Sequence, residues 1–263
     1  MSFVLADTPL SSRLLLGTAR YPSLKIMEEA IGLSQVEVIT IALRRQAAHA
    51  DASTDFWNMI KSFGCHLLPN TAGCQSAKEA IMIAQMARSL FNTNWIKLEI
   101  TCDDYSLQPN PFELISAAEE LIRQGFEVFP YTTDDLAVCE RLASIGCRII
   151  MPWAAPIGSG KGLNNPFALK LLRQRLPQIT LIIDAGIGAP SHAAAAMELG
   201  YDAVLLNSAV ALAASPPRMA HAFAKAVDAG RMAYESGLMP SRDFASPSTP
   251  IVGKPFWHQV VTS

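Results

Sequence analysis

The stretch Asn94-Trp95-Ile96-Lys97-Leu98-Glu99-Ile100, NWIKLEI, decides how the chain is read. Side chains at i and i+2 of a strand share a face, so Ile96, Leu98 and Ile100 point one way while Lys97 and Glu99 point the other. A segment of helical periodicity precedes it and a loop-like one follows, the setting of an internal strand in an α/β protein with both faces covered. A lysine there is costly unless its charge is paired or lost. Two readings of Lys97 stand side by side. In one it ends a strand, reaching solvent or pairing with Glu99. In the other it is a nucleophilic amine that forms an imine with a carbonyl substrate, and Glu99 moves protons beside it.

Working outward, short apolar runs alternate with longer helical ones. Eight of the former are expected as strands, at 13–18, 36–43, 65–69, 95–100, 127–131, 148–151, 180–184 and 203–207. Helical spacing occupies 24–31, 54–62, 77–90, 112–124, 135–144, 166–175, 191–199 and 217–236. Eight repeats of strand and helix predict an α/β protein of one domain, a (β/α)8 TIM barrel, with a doubly wound sheet as the competing architecture. Gly125, Gly146 and Gly200 each stand just before a strand, where a helix ends on a left-handed residue. The barrel is expected over 1–237. The Pro/Ser-rich remainder, 238–263, loses periodicity and reads as a mobile tail, with the aromatic pair Phe256 and Trp257 leaving room for docking on the barrel or on a neighbouring subunit.

A length of 263 residues suits one such barrel. The formal net charge is −2, with no basic stripe of the kind that binds a phosphate backbone, so nucleic acid is not expected as a partner. Five cysteines without a C-x-x-C argue against a disulfide framework and a zinc site, and fit a reducing compartment. No run of about 18 apolar residues predicts a membrane span, and no leader is recognisable. A soluble cytoplasmic protein without metal or cofactor is the expectation.

Polar or glycine-rich motifs follow several predicted strands, and in a barrel those positions share one rim. They are Arg44-Arg45, Pro69 to Gly73, Lys97 with Glu99, IGSGKG at 157–162, DAGIG at 184–188, and Asn207-Ser208. IGSGKG is not a Walker A loop, because Ala155 stands where the first glycine belongs and Gly162 follows Lys161 in place of Ser or Thr. DAGIG is not a dinucleotide fingerprint, because Ser191 takes the third glycine's place and Pro190 interrupts the loop. The three loops together predict a phosphate site at the end of the last strands, against the plainer reading that the glycines only make turns. Asp184 ends the apolar run Leu181-Ile182-Ile183, where it either exchanges protons with an imine or holds the next loop by hydrogen bonding. His192 and His221 have no metal-ligand spacing and read as structural.

From Leu14 to Gly237 the chain resembles the bacterial and plastid thiazole synthases of thiamin biosynthesis. LLLGTARY, LLPNTAGC, WIKLEI, GFEVFPY, MPWAAPIGSGKG, IIDAGIGAPSHAAAAMELG and VLLNSAVALA carry the resemblance in order and spacing. It implies a (β/α)8 barrel that joins 1-deoxy-D-xylulose 5-phosphate, dehydroglycine and sulfur from a carrier protein's C-terminal thiocarboxylate into thiazole phosphate. It matches Lys97 to the imine-forming lysine, Glu99 and Asp184 to proton-transfer carboxylates, and Gly158, Ala185, Gly186, Asn207 and Ser208 to sugar-phosphate contacts. It further implies a homo-oligomer, with a tetramer expected, in the cytoplasm, or in the plastid stroma if the chain is plastid-encoded. Trp153, Ser208 and Val210 stand where the family usually has leucine, threonine and isoleucine. The rival readings are another Schiff-base barrel such as a sugar-phosphate aldolase, and a noncatalytic sensor of a phosphorylated ligand.

Overall fold

The computed structural model describes residues 3–43, 60, 62–246 and 248. Eight strands close into an all-parallel barrel: β3 (Leu14–Gly17), β4 (Val38–Ala42), β5 (His66–Asn70), β6 (Trp95–Leu98), β7 (Glu127–Thr132), β8 (Ile149–Pro152), β9 (Thr180–Asp184) and β10 (Ala203–Leu206), the last pairing back onto β3. The barrel expected from the alternation of the sequence is the fold. The doubly wound alternative fails because β10 and β3 hydrogen-bond, which leaves no open edge. Helices α1 (Leu24–Ser34), α2 (Ala77–Phe91), α3 (Pro111–Arg123), α4 (Leu136–Ser144), α5 (Pro166–Arg175), α6 (Pro190–Glu198), the single turn α7 (Ser208–Ala211) and α8 (Pro216–Ser236) lie between and after them. The helix expected at 54–62 and the Arg44-Arg45 pair fall largely or wholly outside the described residues, as do Phe256 and Trp257.

Local chemistry starts and stops these elements. Ser23, Ser76, Asn110, Asp135 and Asn165 each accept a backbone N–H at the head of their helix. That satisfies donors that the first turn leaves unpaired. Gly125, Gly146 and Gly200 all take positive φ after α3, α4 and α6, as their positions before strands predicted.

The strand pattern sorts the core into two layers. Ile39, Ile41, Ile96, Leu98, Ile183 and Leu206 face outward onto the helices. Leu15, Val38, Leu68, Phe129, Met151, Ile182 and Leu205 fill the barrel. Phe3, Leu5 and Leu10 join that inner set from a hairpin that the sequence reading missed, β1 (Phe3–Leu5) with β2 (Thr8–Leu10). Its turn residues Ala6 and Asp7 both have positive φ, the geometry of a tight two-residue hairpin. The hairpin plugs the end where the strands begin. There Asp7 pairs with Arg148, which also pairs with Glu127, and the Arg13 guanidinium lies over the Phe3 ring and donates to the Asp202 carbonyl.

Strands β6 and β10 are shorter than expected. Regular pairing stops at Leu98 and at Leu206, so Glu99 and Asn207 stand just past the ladder. The described residues after Ser236 carry neither helix nor strand, and Leu238, Met239 and Phe244 among them are exposed. No helix among the described residues is long and apolar enough to cross a membrane. None of the five cysteines is in a disulfide.

Helix α8 packs along α6 and α1, and Gly230 makes the close approach to α6 possible. A Cβ there would stand 2.4 Å from the Ala194 carbonyl oxygen and 2.8 Å from the Met197 Cβ. In an exposed helix, Gly→Ala gains up to about 1 kcal/mol. Here Gly230→Ala is expected to cost about 2 kcal/mol through overpacking, read as a lower urea midpoint at unchanged m-value.

Candidate active site

The rim at the strand ends carries a buried charge cluster. Period-two alternation turns Lys97 inward on β6, on the same face as Trp95, and turns Asp184 inward at the end of β9, on the same face as Ile182. Lys97 Nζ stands 2.6 Å from Asp184 Oδ2 and 3.3 Å from Glu99 Oε2. All three residues are buried, at 6%, 4% and 8% exposure, so the pairing is not that of a solvent-facing lysine. Glu99 is held there by its backbone: the Thr71 hydroxyl accepts its N–H and donates to its carbonyl, each at 2.8 Å. Thr71 belongs to the 69–73 motif and has no exposure at all, so that motif positions a carboxylate.

Burial and pairing pull the ionisation of Lys97 in opposite directions, and desolvation, which favours the neutral amine, is the largest single influence on it. The charges of Asp184 and then Glu99, with hydrogen bonds to both, together outweigh desolvation and hold the lysine above its usual value, as an ammonium. Asp184 is itself pushed up by burial, which the attraction of Lys97 and the Ala185 amide only partly offset. At 2.6 Å from the ammonium, Asp184 is the carboxylate nearest to it and the one placed to receive its proton. Tyr131, also turned inward, completes the cluster, with Lys97 Nζ 5.5 Å from its ring centroid.

The predicted sugar-phosphate residues also gather on this rim, at the ends of β8, β9 and β10. Ala185 and Gly186 follow Asp184 with φ of 62° and 73°. Gly186 is needed for packing as well: a Cβ there would stand 2.4 Å from the Ala155 amide nitrogen, and one on Gly188 would stand 2.4 Å from the Gly160 carbonyl oxygen. The loops after β8 and β9 are thus fastened glycine to glycine, and the Gly162 amide donates to the Gly186 carbonyl. Gly158 faces open space, and Lys161 is exposed. The Asn207 side chain lies over Gly17, where a Cβ would meet it at 2.6 Å, and its Oδ1 is buried without a partner among the described residues. Ser208 opens α7. Trp153 follows β8, and its indole N–H is donated to Asp134 at 2.9 Å. His192 accepts the Gly188 amide, and His221 bonds to the Leu33 carbonyl on the far side of the barrel wall. Among the described residues no group of His, Cys, Asp and Glu is arranged to hold a metal.

With this geometry in view, the family model described as "Thiazole biosynthesis protein ThiG" matches residues 4–250. The chain belongs to the ThiG family. Curated relatives named thiazole synthase include one from Rhodopseudomonas palustris (strain BisB5), 60% identical over 254 residues that make up 97% of this chain and 98% of that one. Another, from Coxiella burnetii (strain Dugway 5J108-111), is 59% identical over the same shares. Among solved structures, the Amycolatopsis orientalis BexX/CysO complex aligns with a TM-score of 0.81 at 27% identity, covering 91% of this chain and 98% of that one. ThiG membership accords with the resemblance drawn from the motifs. Sequence reading placed Lys97, Glu99 and Asp184 in the cluster, and it missed Thr71 and Tyr131. The inward alternation of Phe129 and Tyr131 in GFEVFPY was the available signal for the latter.

Removing the ammonium alone leaves two buried carboxylates facing each other. Lys97→Met is expected to lose on the order of 3 kcal/mol of stability at pH 8. Without its cation, Asp184 has a folded-state pKa raised further above the unfolded value of about 3.9. A raised pKa favours the fold at low pH and penalises it as pH climbs through the folded value. The deficit against the parent chain should therefore shrink as pH falls toward the carboxylate range, in urea titrations at pH 8 and pH 5.

Proposed function

We propose that this chain is a thiazole synthase that builds thiazole phosphate from 1-deoxy-D-xylulose 5-phosphate, dehydroglycine and sulfur supplied by the thiocarboxylate of a carrier protein. One observation carries the assignment of roles: the buried lysine at the rim stands 2.6 and 3.3 Å from two carboxylates. The BexX/CysO complex, similar over most of this chain, supports docking of a partner protein.

In this reading Lys97 passes a proton to Asp184 and becomes the free amine that attacks C2 of the sugar. The carbonyl oxygen takes up protons returned from the carboxylates and leaves as water. Of the three ammonium protons, two depart in that water and one stays on the iminium nitrogen, so atoms and charge balance. Moving the carbonyl function from C2 to C3 then needs a proton taken from C3 and one returned at C2, with the C3 hydroxyl proton lost. Glu99 and Asp184 flank the lysine and serve as the two carriers. Gly158, Ala185, Gly186, Asn207 and Ser208 would hold the phosphate and sugar at the ends of β8 to β10, the corner of a barrel commonly used for phosphate. We read 1–237 as the catalytic barrel, 238–263 as a tail outside it, and the working unit as a homo-oligomer in the cytoplasm.

The experiment is reductive trapping. Incubated with 1-deoxy-D-xylulose 5-phosphate and borohydride, the protein should carry the adduct on Lys97, and the exposed Lys161 should stay free. Lys97→Arg keeps a positive charge but cannot form the imine, so it should trap nothing and lose turnover entirely. An adduct on Lys161, or turnover by Lys97→Arg, overturns the assignment. Turnover that depends on a thiocarboxylated carrier separates this reading from a Schiff-base aldolase.

A further inference from the structure

Tyr131 is fully buried, and its hydroxyl has no hydrogen-bond partner among the described residues. Buried hydroxyls are ordinarily satisfied, because an unmade bond costs the group its hydration with no return. The other fully buried tyrosine, Tyr201, follows that rule and donates to the Leu169 carbonyl at 3.0 Å. The hydroxyls of Tyr21, Thr101 and Tyr131 break it, and that of Tyr131 does so on a ring that faces the reactive amine. Its ring faces Lys97 Nζ at 5.5 Å, and the register that pairs Leu98 with Pro130 sets it next to Glu99 across the β6–β7 pair. Burial, and then the negative charges of Asp184 and Glu99, push its pKa upward, so the phenol keeps its proton. It is a neutral donor in a cluster whose other members are charged.

We infer that the Tyr131 hydroxyl donates a hydrogen bond to the C2 oxygen of the ketose phosphate while Lys97 attacks C2, which makes it a further catalytic residue of this site. This rests on the imine reading above. Attack breaks the C=O π bond, and the electron pair moves onto an oxygen two bonds from Nζ. An anion there is repelled by Asp184 and Glu99 and needs a donor that carries no proton they can take. Tyr131 fits that need, since its hydrogen stays on the phenol throughout. The carboxylates supply the two protons with which the oxygen leaves as water.

Tyr131→Phe keeps the ring against Lys97 and removes only the hydroxyl. At saturating 1-deoxy-D-xylulose 5-phosphate, the borohydride-trapped Lys97 adduct is expected to form about 100-fold more slowly in Tyr131→Phe, with the half-saturating concentration changed by less than about threefold. Thermal unfolding should occur at or above the parent temperature, because an unsatisfied buried group has been removed. Trapping at the parent rate overturns the proposal. So does a variant that melts far below the parent or fails to fold, since the hydroxyl would then be serving the structure. A parent protein that forms no Lys97 adduct brings down the imine reading itself. It is told apart from failure of the Tyr131 role, in which parent and variant label equally fast.

Discussion

One ammonium inside a parallel barrel is the constraint on which this molecule turns. Lys97 has almost no access to water, and its charge persists because Asp184, at the end of β9, and Glu99, just past the end of β6, are placed against it. Replacing such a cluster by well-packed apolar residues would, in general, leave a protein as stable or more so. Its presence is a cost in stability taken for chemistry. Burial raises Asp184 and its partners raise Lys97, so the proton rests on the amine, and the 2.6 Å contact between the two is the path along which the proposed reaction would move it.

Much of this was legible in the sequence, for a physical reason. Strand alternation has a period of two, so Lys97 and Glu99 had to share a face, and the apolar run before Asp184 had to bring it to a strand end. The order and handedness of a barrel then leave one place where those strand ends can meet. The ionisation of Lys97 was not legible, because it depends on the distance to Asp184, 87 positions further along the chain. The N-terminal hairpin was missed because its two strands are three residues each and carry too little periodicity to register. Thr71 and Tyr131 were passed over for another reason. Each sits in a motif that was read as a whole, and only the hydroxyl bonds, made in one case and unmade in the other, mark them out.

The loops after β8 and β9 show how a rim can be both glycine-rich and rigid. Gly186 lies against Ala155 and Gly188 against Gly160, each closer than any side chain would allow. Such glycines exchange conformational freedom in the unfolded chain for backbone contact in the folded one. Their amides are held by that contact, and His192 fixes the Gly188 amide as well. A ligand anchored there would meet donors already in position, with little ordering left to do at the moment of binding.

The closure of the barrel also dictates an order of events during synthesis. β3 is the first of the barrel strands to be made, yet one of its edges stays unpaired until β10 emerges almost 190 residues later, together with the Asp202 carbonyl that Arg13 seeks. Contacts so distant along the chain slow folding, and an uncovered strand edge invites pairing with the wrong neighbour. The hairpin offers its own remedy. Leu5 and Leu10, which end up as the floor of the barrel, adjoin Leu15 in sequence and can shelter it early. The nascent chain thus carries its plug with its first barrel strand, and the ribosome releases the mate of that strand among the last.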